Sequence, residues 1–368
     1  MELKRVDNLK SNKKQRLLEF DYLKFLLIII MIANHVCEYF QFYIGYMDSK
    51  FADIVFWMCS LGTAVSFMFC MGAGMVFTRN KDPKSLINRG IRLFVVGYLL
   101  NFVRGTLFVL VFDLGKADFL DNLLDETLTV DIFIFAGLAF ILTGFLRKKI
   151  LSIYKIFIIS LFMLLVGNTF MVADIDYKQL GIFSYFTDLI LPLTGKDHEA
   201  FSLTTWYWYV ICGAFFAEFL VNSKNKDRFY KGVFIFSVIF SLLGIVTFKI
   251  FNIDTFFTLS EMYYQPTLIH FPITIGTCLI FLSFFYFFRK KINNFDRFMM
   301  FVGTSLPKIY LTHWIVIKWL VLSTVIVFIY PTFGMNDPLA FVIVVISILL
   351  SFGLVYLYNR LKVKNKNK

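Results

Sequence analysis

The chain has 368 residues, of which 58% are hydrophobic and 48 are Phe, with a mean hydropathy of +0.72, and this excludes a soluble globular domain. Its net charge of +12 invites a nucleic-acid reading, but the basic residues sit in short clusters between apolar segments, where orientation in a membrane explains them. The sequence therefore reads as an all-α, polytopic helical bundle in a lipid bilayer, with no nucleic-acid partner.

Residues 1–19 form a basic arm with Lys4, Arg5, Lys10, Lys13, Lys14 and Arg16. Apolar segments long enough to cross a bilayer follow at 20–44, 52–78, 93–112, 130–146, 153–173, 203–221, 232–251, 267–288, 300–330 and 339–358. This predicts about ten transmembrane helices within one membrane domain, 20–358, and a basic tail, 359–368. The first apolar run is too long for a cleaved signal and lacks a small-residue site after it, so it is expected to stay as the first helix. Alternating sides from the N-terminus, one set of loops and ends carries 27 Lys and Arg, and the other only Lys50, Lys116, Lys178 and Lys196. The positive-inside rule then places both termini in the cytoplasm of a multi-pass cell-membrane protein.

The first helix carries an acid, a cation and an imidazole. At 100° per residue, Asp21, Lys24 and His35 fall within a stripe about 60° wide, and His35 lies roughly 16 Å beyond Lys24 along it. An imidazole at that depth is tolerated facing protein or a water-filled cavity, as a functional group or as a bond between helices. Glu38 lies one turn past His35. Arg104, deep in the third segment, needs an anionic partner, and Glu38 at similar depth is the expected one. Such a pair can be structural or can orient His35 or a bound substrate.

In the second segment, Gly72, Ala73 and Gly74 suit close helix contact. The following loop carries Arg89 and Arg92, one turn apart, either as ordinary cytoplasmic cations or as a fork for phosphate groups. Two acidic loops, 113–129 and 174–202, read as solvated, although LGIFSYFTDLILPL in the second suits a re-entrant or interfacial helix covering a cavity. Trp206 opens an aromatic cluster, TTWYWY, suited to a membrane interface or to stacking on a sugar ring. His198 reads as solvated and His270 as interfacial. Tyr310 and His313 share one face of VGTSLPKIYLTHWIVIK, where Pro307 is expected to kink the helix; His313 is either a site residue or a link between helices. The five cysteines lie in apolar segments without metal-ligand spacing, so they read as free thiols and no metal is expected.

A cation, ten residues and then His on the first membrane helix, with Asp three residues before the cation, resembles the signature of the acyltransferase 3 family. Heparan-α-glucosaminide N-acetyltransferase-like proteins are similar in this region. The basic loop with Arg89 and Arg92, the Trp206 segment and the stretch around Tyr310 and His313 also resemble these families. Lys24 stands where the family usually has Arg, and Phe25 where it often has Gly. The resemblance implies transfer of an acyl group, acetyl in the first instance, from acyl-CoA (acetyl-CoA) to a carbohydrate or other envelope acceptor. In that reading Arg89, Arg92 and Lys24 bind the donor, and Asp21, Lys24 and His35 serve catalysis, with His35 as general base or transient acyl carrier. Glu38, Arg104, Tyr310, His313 and Trp206 are the expected acceptor-side residues. Ten spans with intramembrane charges would equally serve a non-enzymatic transporter or flippase, though no inverted repeat is visible.

Overall fold

A computed structural model describes residues 16–45, 49–78, 82–149, 151–172, 180–192, 201–251, 267–330 and 335–366. All regular structure among them is helical. In chain order the helices are α1 (Leu18–Ile44), α2 (Lys50–Ser60), α3 (Thr63–Phe77), α4 (Pro83–Asn101), α5 (Leu107–Phe112), α6 (Phe119–Leu128), α7 (Ile132–Lys148) and α8 (Ile153–Val172). They continue as α9 (Phe183–Asp188), α10 (Leu203–Asn222), α11 (Lys226–Ile250), α12 (Phe271–Lys291), α13 (Asp296–Ile315) and α14 (Asp337–Lys366). Five-residue π-helical turns at Phe102–Thr106 and Val325–Ile329, and a longer one at Val316–Leu322, join or extend these rods.

Nine continuous helical stretches among the described residues are long and apolar enough to cross a membrane. α10, at the place of the expected span 203–221, is a 20-residue helix set inside the bundle and is not one of these nine. At the end of the bundle where α1 begins, Tyr22 donates to Asp296 at 3.0 Å and Tyr230 to Glu19 at 2.9 Å. Asn359, near the end of α14, donates to Ser305 at the same end, 2.9 Å away. The start of the first helix and the end of the last thus lie at one end of the bundle. This side is the near end below, and the side at Ile44 the far end. α14 continues as helix to Lys366, through most of the residues expected as a basic tail.

α1 is the central element: 72% of its apolar window is buried inside the bundle, against 17% for the peripheral α11. Its lower half, with Phe20, Leu23 and Leu27, joins a core built mainly from α3, α7, α10 and α12. Its upper half, from Ile28 to Phe40, joins a second core with α13, its π-helical extension and α14. Gly45 ends the helix in the left-handed conformation at φ +60°, its N–H returning to the Phe40 carbonyl. On the outside, Ile235, Phe236, Ile239, Leu242 and Leu243 of α11 are exposed, as a surface bathed in lipid requires. The chain is a multi-pass membrane protein.

Small residues let α3 and α10 meet backbone to backbone. A Cβ on Gly72 of α3 would sit 1.7 Å from the Val210 carbonyl oxygen, and one on Gly213 of α10 would sit 1.9 Å from that of Phe69. Gly74, expected to act with Gly72, has nothing within 4 Å of a Cβ. α13 continues as helix through Pro307. The five cysteines are free and buried.

Candidate active site

A cavity of about 600 Å³ opens between the far half of α1, the α2–α3 junction, the π-helical turn after α4, α6, the start of α7 and α13. Its position follows from local sequence. Glu38 lies three residues after His35 and so on the same face of α1, where His35 Nδ1 and Glu38 Oε2 are 3.0 Å apart. A carboxylate only accepts, so Nδ1 is the donor and Nε2 becomes the basic nitrogen of the ring. His35 is 9% exposed and lines the cavity. The Trp314 indole lies 4.2 Å from its ring centre, and the His313 ring stacks at 5.8 Å with an interplanar angle of 25°.

Across the cavity, Arg104 belongs to the π-helical turn Phe102–Thr106. Such a turn adds a residue to the helical register, and these insertions recur at functional sites. Arg104 Nη2 pairs with Asp131 Oδ2 at 2.8 Å and donates to Asn101 Oδ1 at 3.2 Å. The guanidinium lies over the Trp314 ring at 3.9 Å. Its Nε and Nη1 have no hydrogen-bond partner although the residue is only 5% exposed. Asp131 is fully engaged: Oδ1 accepts from Tyr310 Oη at 2.6 Å and caps α7 through the Phe133 N–H at 3.0 Å. Asn101 Nδ2 ties the arrangement to the Thr127 and Thr129 carbonyls at the end of α6.

The structure therefore brings together His35, Glu38, Arg104, Tyr310 and His313 from three segments distant in sequence. It corrects one expected pairing, since Arg104 is matched by Asp131 and not by Glu38, which holds His35 instead. His313 is fully buried beside the site with both ring nitrogens unpaired, and it does not line the cavity.

The remaining sequence-derived residues lie elsewhere. Trp206 is 1% exposed and packs on Phe201 at 4.9 Å within the core; Phe201, not Trp206, reaches the cavity. Asp21 and Lys24 are at the near end, where Arg16 Nη2 binds Asp21 at 2.9 Å and Lys24 Nζ lies 4.0 Å away, so Arg16 rather than Lys24 is the closer partner of Asp21. A Cβ on Gly303 of α13 would overlap Asp21 Oδ1 at 1.8 Å, which explains a glycine there. Arg89 and Arg92 are exposed near the start of α4, with the Arg89 guanidinium over the Phe140 ring at 4.5 Å. The cavity lining reaches Met31 on α1 and includes none of Lys24, Arg89 or Arg92. His270 pairs with Thr267 at 2.7 Å away from the cavity, and His198 lies outside the described residues.

Several participants escape the sequence reading. The loop 113–129 is not simply solvated: it contains α6, whose Asp121, Asp125 and Glu126 line the cavity. The patch after Leu180, by contrast, is expected as a helix covering a cavity; it forms the short α9, and Tyr185 on it donates to Asp125 at the rim. Burial first, and then that carboxylate, push the Tyr185 phenol above its usual range, so it stays a donor. Lys318 is fully buried in the second π-helical segment, 2.6 Å from Glu126 and 4.2 Å over the Tyr39 ring. Among the described residues, no group of three or more His, Cys, Asp and Glu is placed to hold a metal.

A family model for an acyltransferase domain matches residues 17–358, almost the whole chain. The chain belongs to the acyltransferase 3 family. No curated protein and no solved structure matches it. The membrane acyltransferase thus places a histidine, its carboxylate partner and a paired arginine around one cavity inside the bundle.

Proposed function

We propose that this membrane acyltransferase moves an acyl group, acetyl in the first instance, from acyl-CoA on the cytoplasmic side to a hydroxyl or amine of an envelope carbohydrate or similar acceptor, in the cell membrane. The observation that carries the reading is His35, held through Nδ1 by Glu38 at the wall of a cavity shared with the Arg104–Asp131 pair. The near end takes the donor. Arg89 and Arg92 are exposed there one turn apart, as a phosphate-binding pair needs, and Lys24 marks the way toward His35 on the same stripe of α1. The donor thioester supplies an activated acyl carbonyl. The acceptor enters from the far end, where the cavity is lined by α6.

His35 Nε2 takes the proton of the acceptor nucleophile as its oxygen or nitrogen attacks the acyl carbon, and returns that proton to the departing thiolate. Glu38 steadies the imidazole while it carries the proton. The unpaired N–H groups of Arg104, fixed by Asp131 and Trp314, are donors already in place for negative charge developing on the acyl oxygen. Tyr310 lines the cavity with its hydroxyl committed to Asp131, and so positions rather than reacts.

Release of free thiol from acetyl-CoA by purified protein in liposomes, with mixed sugar acceptors, tests this directly. Release in the wild type, its loss in His35→Ala and its weakening in Lys24→Ala are expected, all three checked for folding. A wild type that neither binds acyl-CoA nor releases thiol overturns the reading and leaves a transport function as its replacement.

A further inference from the structure

Four and eight residues past His35, α1 carries Tyr39 and Tyr43. At 100° per residue they lie roughly 40° and 80° around the helix from the histidine, so the three side chains form one slowly turning row. All three line the cavity, with His35 deepest and Tyr43 about 12 Å further along the axis toward the far end. Tyrosines near the end of a membrane helix ordinarily form an interfacial belt, and their position alone would mean little.

These two are held as inner side chains. The fully buried Lys318 ammonium lies 4.2 Å over the Tyr39 ring and 5.6 Å over that of Tyr43. Trp314 meets Tyr39 edge to face at 5.9 Å, Phe108 meets Tyr43 in the same way at 5.7 Å, and the two phenol rings are 6.0 Å apart. Each ring is thus fixed from behind, yet both residues are half-buried at the cavity wall and neither hydroxyl makes a hydrogen bond among the described residues. Elsewhere around the cavity the phenols are committed: Tyr310 gives its hydroxyl to Asp131, and Tyr185 at the rim gives its own to Asp125. Polar groups set firmly in a pocket and left without partners inside the chain are the ones a ligand engages, because a few placed hydroxyls fix orientation in a site.

We infer that Tyr39 and Tyr43 are acceptor-binding residues: the Tyr39 hydroxyl bonds a second polar atom of the acceptor, one helical turn from the atom that gives its proton to His35, and Tyr43 guides the acceptor in from the mouth. Two attachment points, His35 and Tyr39, then decide which of several similar groups on the acceptor is acylated. An acceptor with a single polar group reaches only one of them and is a poor substrate. The inference rests on the far-end cavity being the acceptor's site, as proposed above, and it does not depend on which thioester is the donor.

Tryptophan-fluorescence titration of the full chain in nanodiscs, with methyl glucoside as a neutral probe bearing several hydroxyls and Trp314 at the cavity wall as reporter, tests this in wild type, Tyr39→Phe, Tyr43→Phe and Tyr154→Phe. Tyr154 is 57% exposed on α8 and is not among the residues lining the cavity, so its variant is the control. The half-saturating concentration is expected to rise about tenfold in Tyr39→Phe and about threefold in Tyr43→Phe, the effect of losing one neutral hydrogen bond, and to stay at the wild-type value in Tyr154→Phe. Each substitution keeps the ring and its contacts and removes an oxygen that has no partner in the chain, so thermal midpoints should match the wild type. No saturable binding in the wild type, half-saturation unchanged in Tyr39→Phe, an equal rise in Tyr154→Phe, or a clearly lowered midpoint in Tyr39→Phe would overturn it. Binding that weakens in Tyr39→Phe while the wild type releases no thiol from acetyl-CoA would keep this inference and sink the acyl-transfer reading. Thiol release together with binding indifferent to Tyr39 would do the reverse.

Discussion

Arg104 and Asp131 meet at 2.8 Å in the interior of the bundle, both almost fully buried, and the contact joins the π-helical turn after α4 to the first turn of α7. Asp131 is at once the N-cap of α7, the acceptor of the Tyr310 hydroxyl and the counter-charge of Arg104. Removing it leaves a buried guanidinium without compensation, whereas removing both charges leaves an apolar gap. Asp131→Ala is therefore expected to destabilise the protein by roughly 3–5 kcal/mol, and Asp131→Leu with Arg104→Met by clearly less. Thermal unfolding in detergent reads the difference. A double variant as unstable as the single one would show that the pair matters through something other than its charge.

His35→Ala is expected to lower acyl transfer by about 10²–10⁴-fold, the usual contribution of a general base. Glu38→Gln keeps a side chain of the same shape, with an amide oxygen that can still accept from Nδ1, and should cost distinctly less. Rates of the two variants, measured at saturating donor, check the order. If Glu38→Gln is as damaging as His35→Ala, Glu38 itself takes part in proton transfer.

Two glycines in one turn of α3 make an internal control. Gly72→Ala drives a Cβ into the Val210 carbonyl at 1.7 Å, where backbone must move, so a loss of roughly 1–3 kcal/mol or more is expected. Gly74→Ala meets nothing within 4 Å and should be neutral or slightly stabilising through helix propensity. Midpoints of thermal unfolding for the two variants, side by side, measure how much the close contact between α3 and α10 contributes; equal midpoints would show that it contributes little.

The all-helical bundle was largely legible because the length and apolarity of a span depend on residues close together in sequence. The centre was half legible. His35 and Arg104 announce themselves as polar groups in apolar runs, but their partners depend on which helices become neighbours, so Asp131 is missed: at the start of a span it looks like an ordinary cap. Lys318 is a different omission, for it lies inside the apolar run from Ile315 to Leu322 and meets the same criterion as Arg104. α6 is hidden because its acids resemble a solvated loop until the cavity shows them sharing one wall. Trp206 fails in the opposite sense. An aromatic at a helix entry suits an interface, but α10 is inside the bundle, which buries the ring.

Lys318 and Glu126 offer the sharpest asymmetry. The ammonium is fully buried among Tyr39, Tyr43 and Phe108, while the Glu126 side chain is 22% exposed and faces the cavity. Lys318→Met replaces the cation with an apolar chain of similar length inside an aromatic box, and leaves behind a carboxylate that water in the cavity can solvate. It should change stability by no more than about 1–2 kcal/mol. Glu126→Ala leaves the ammonium with aromatic faces alone, and a loss of roughly 3–5 kcal/mol follows from stranding a buried charge. Because Glu126 also lines the wall formed by α6, its loss should loosen that helix over the cavity and raise amide exchange from Phe119 to Leu128. Hydrogen exchange in nanodiscs measures this, and equal protection in wild type, Lys318→Met and Glu126→Ala would show that the pair does not hold α6 in place.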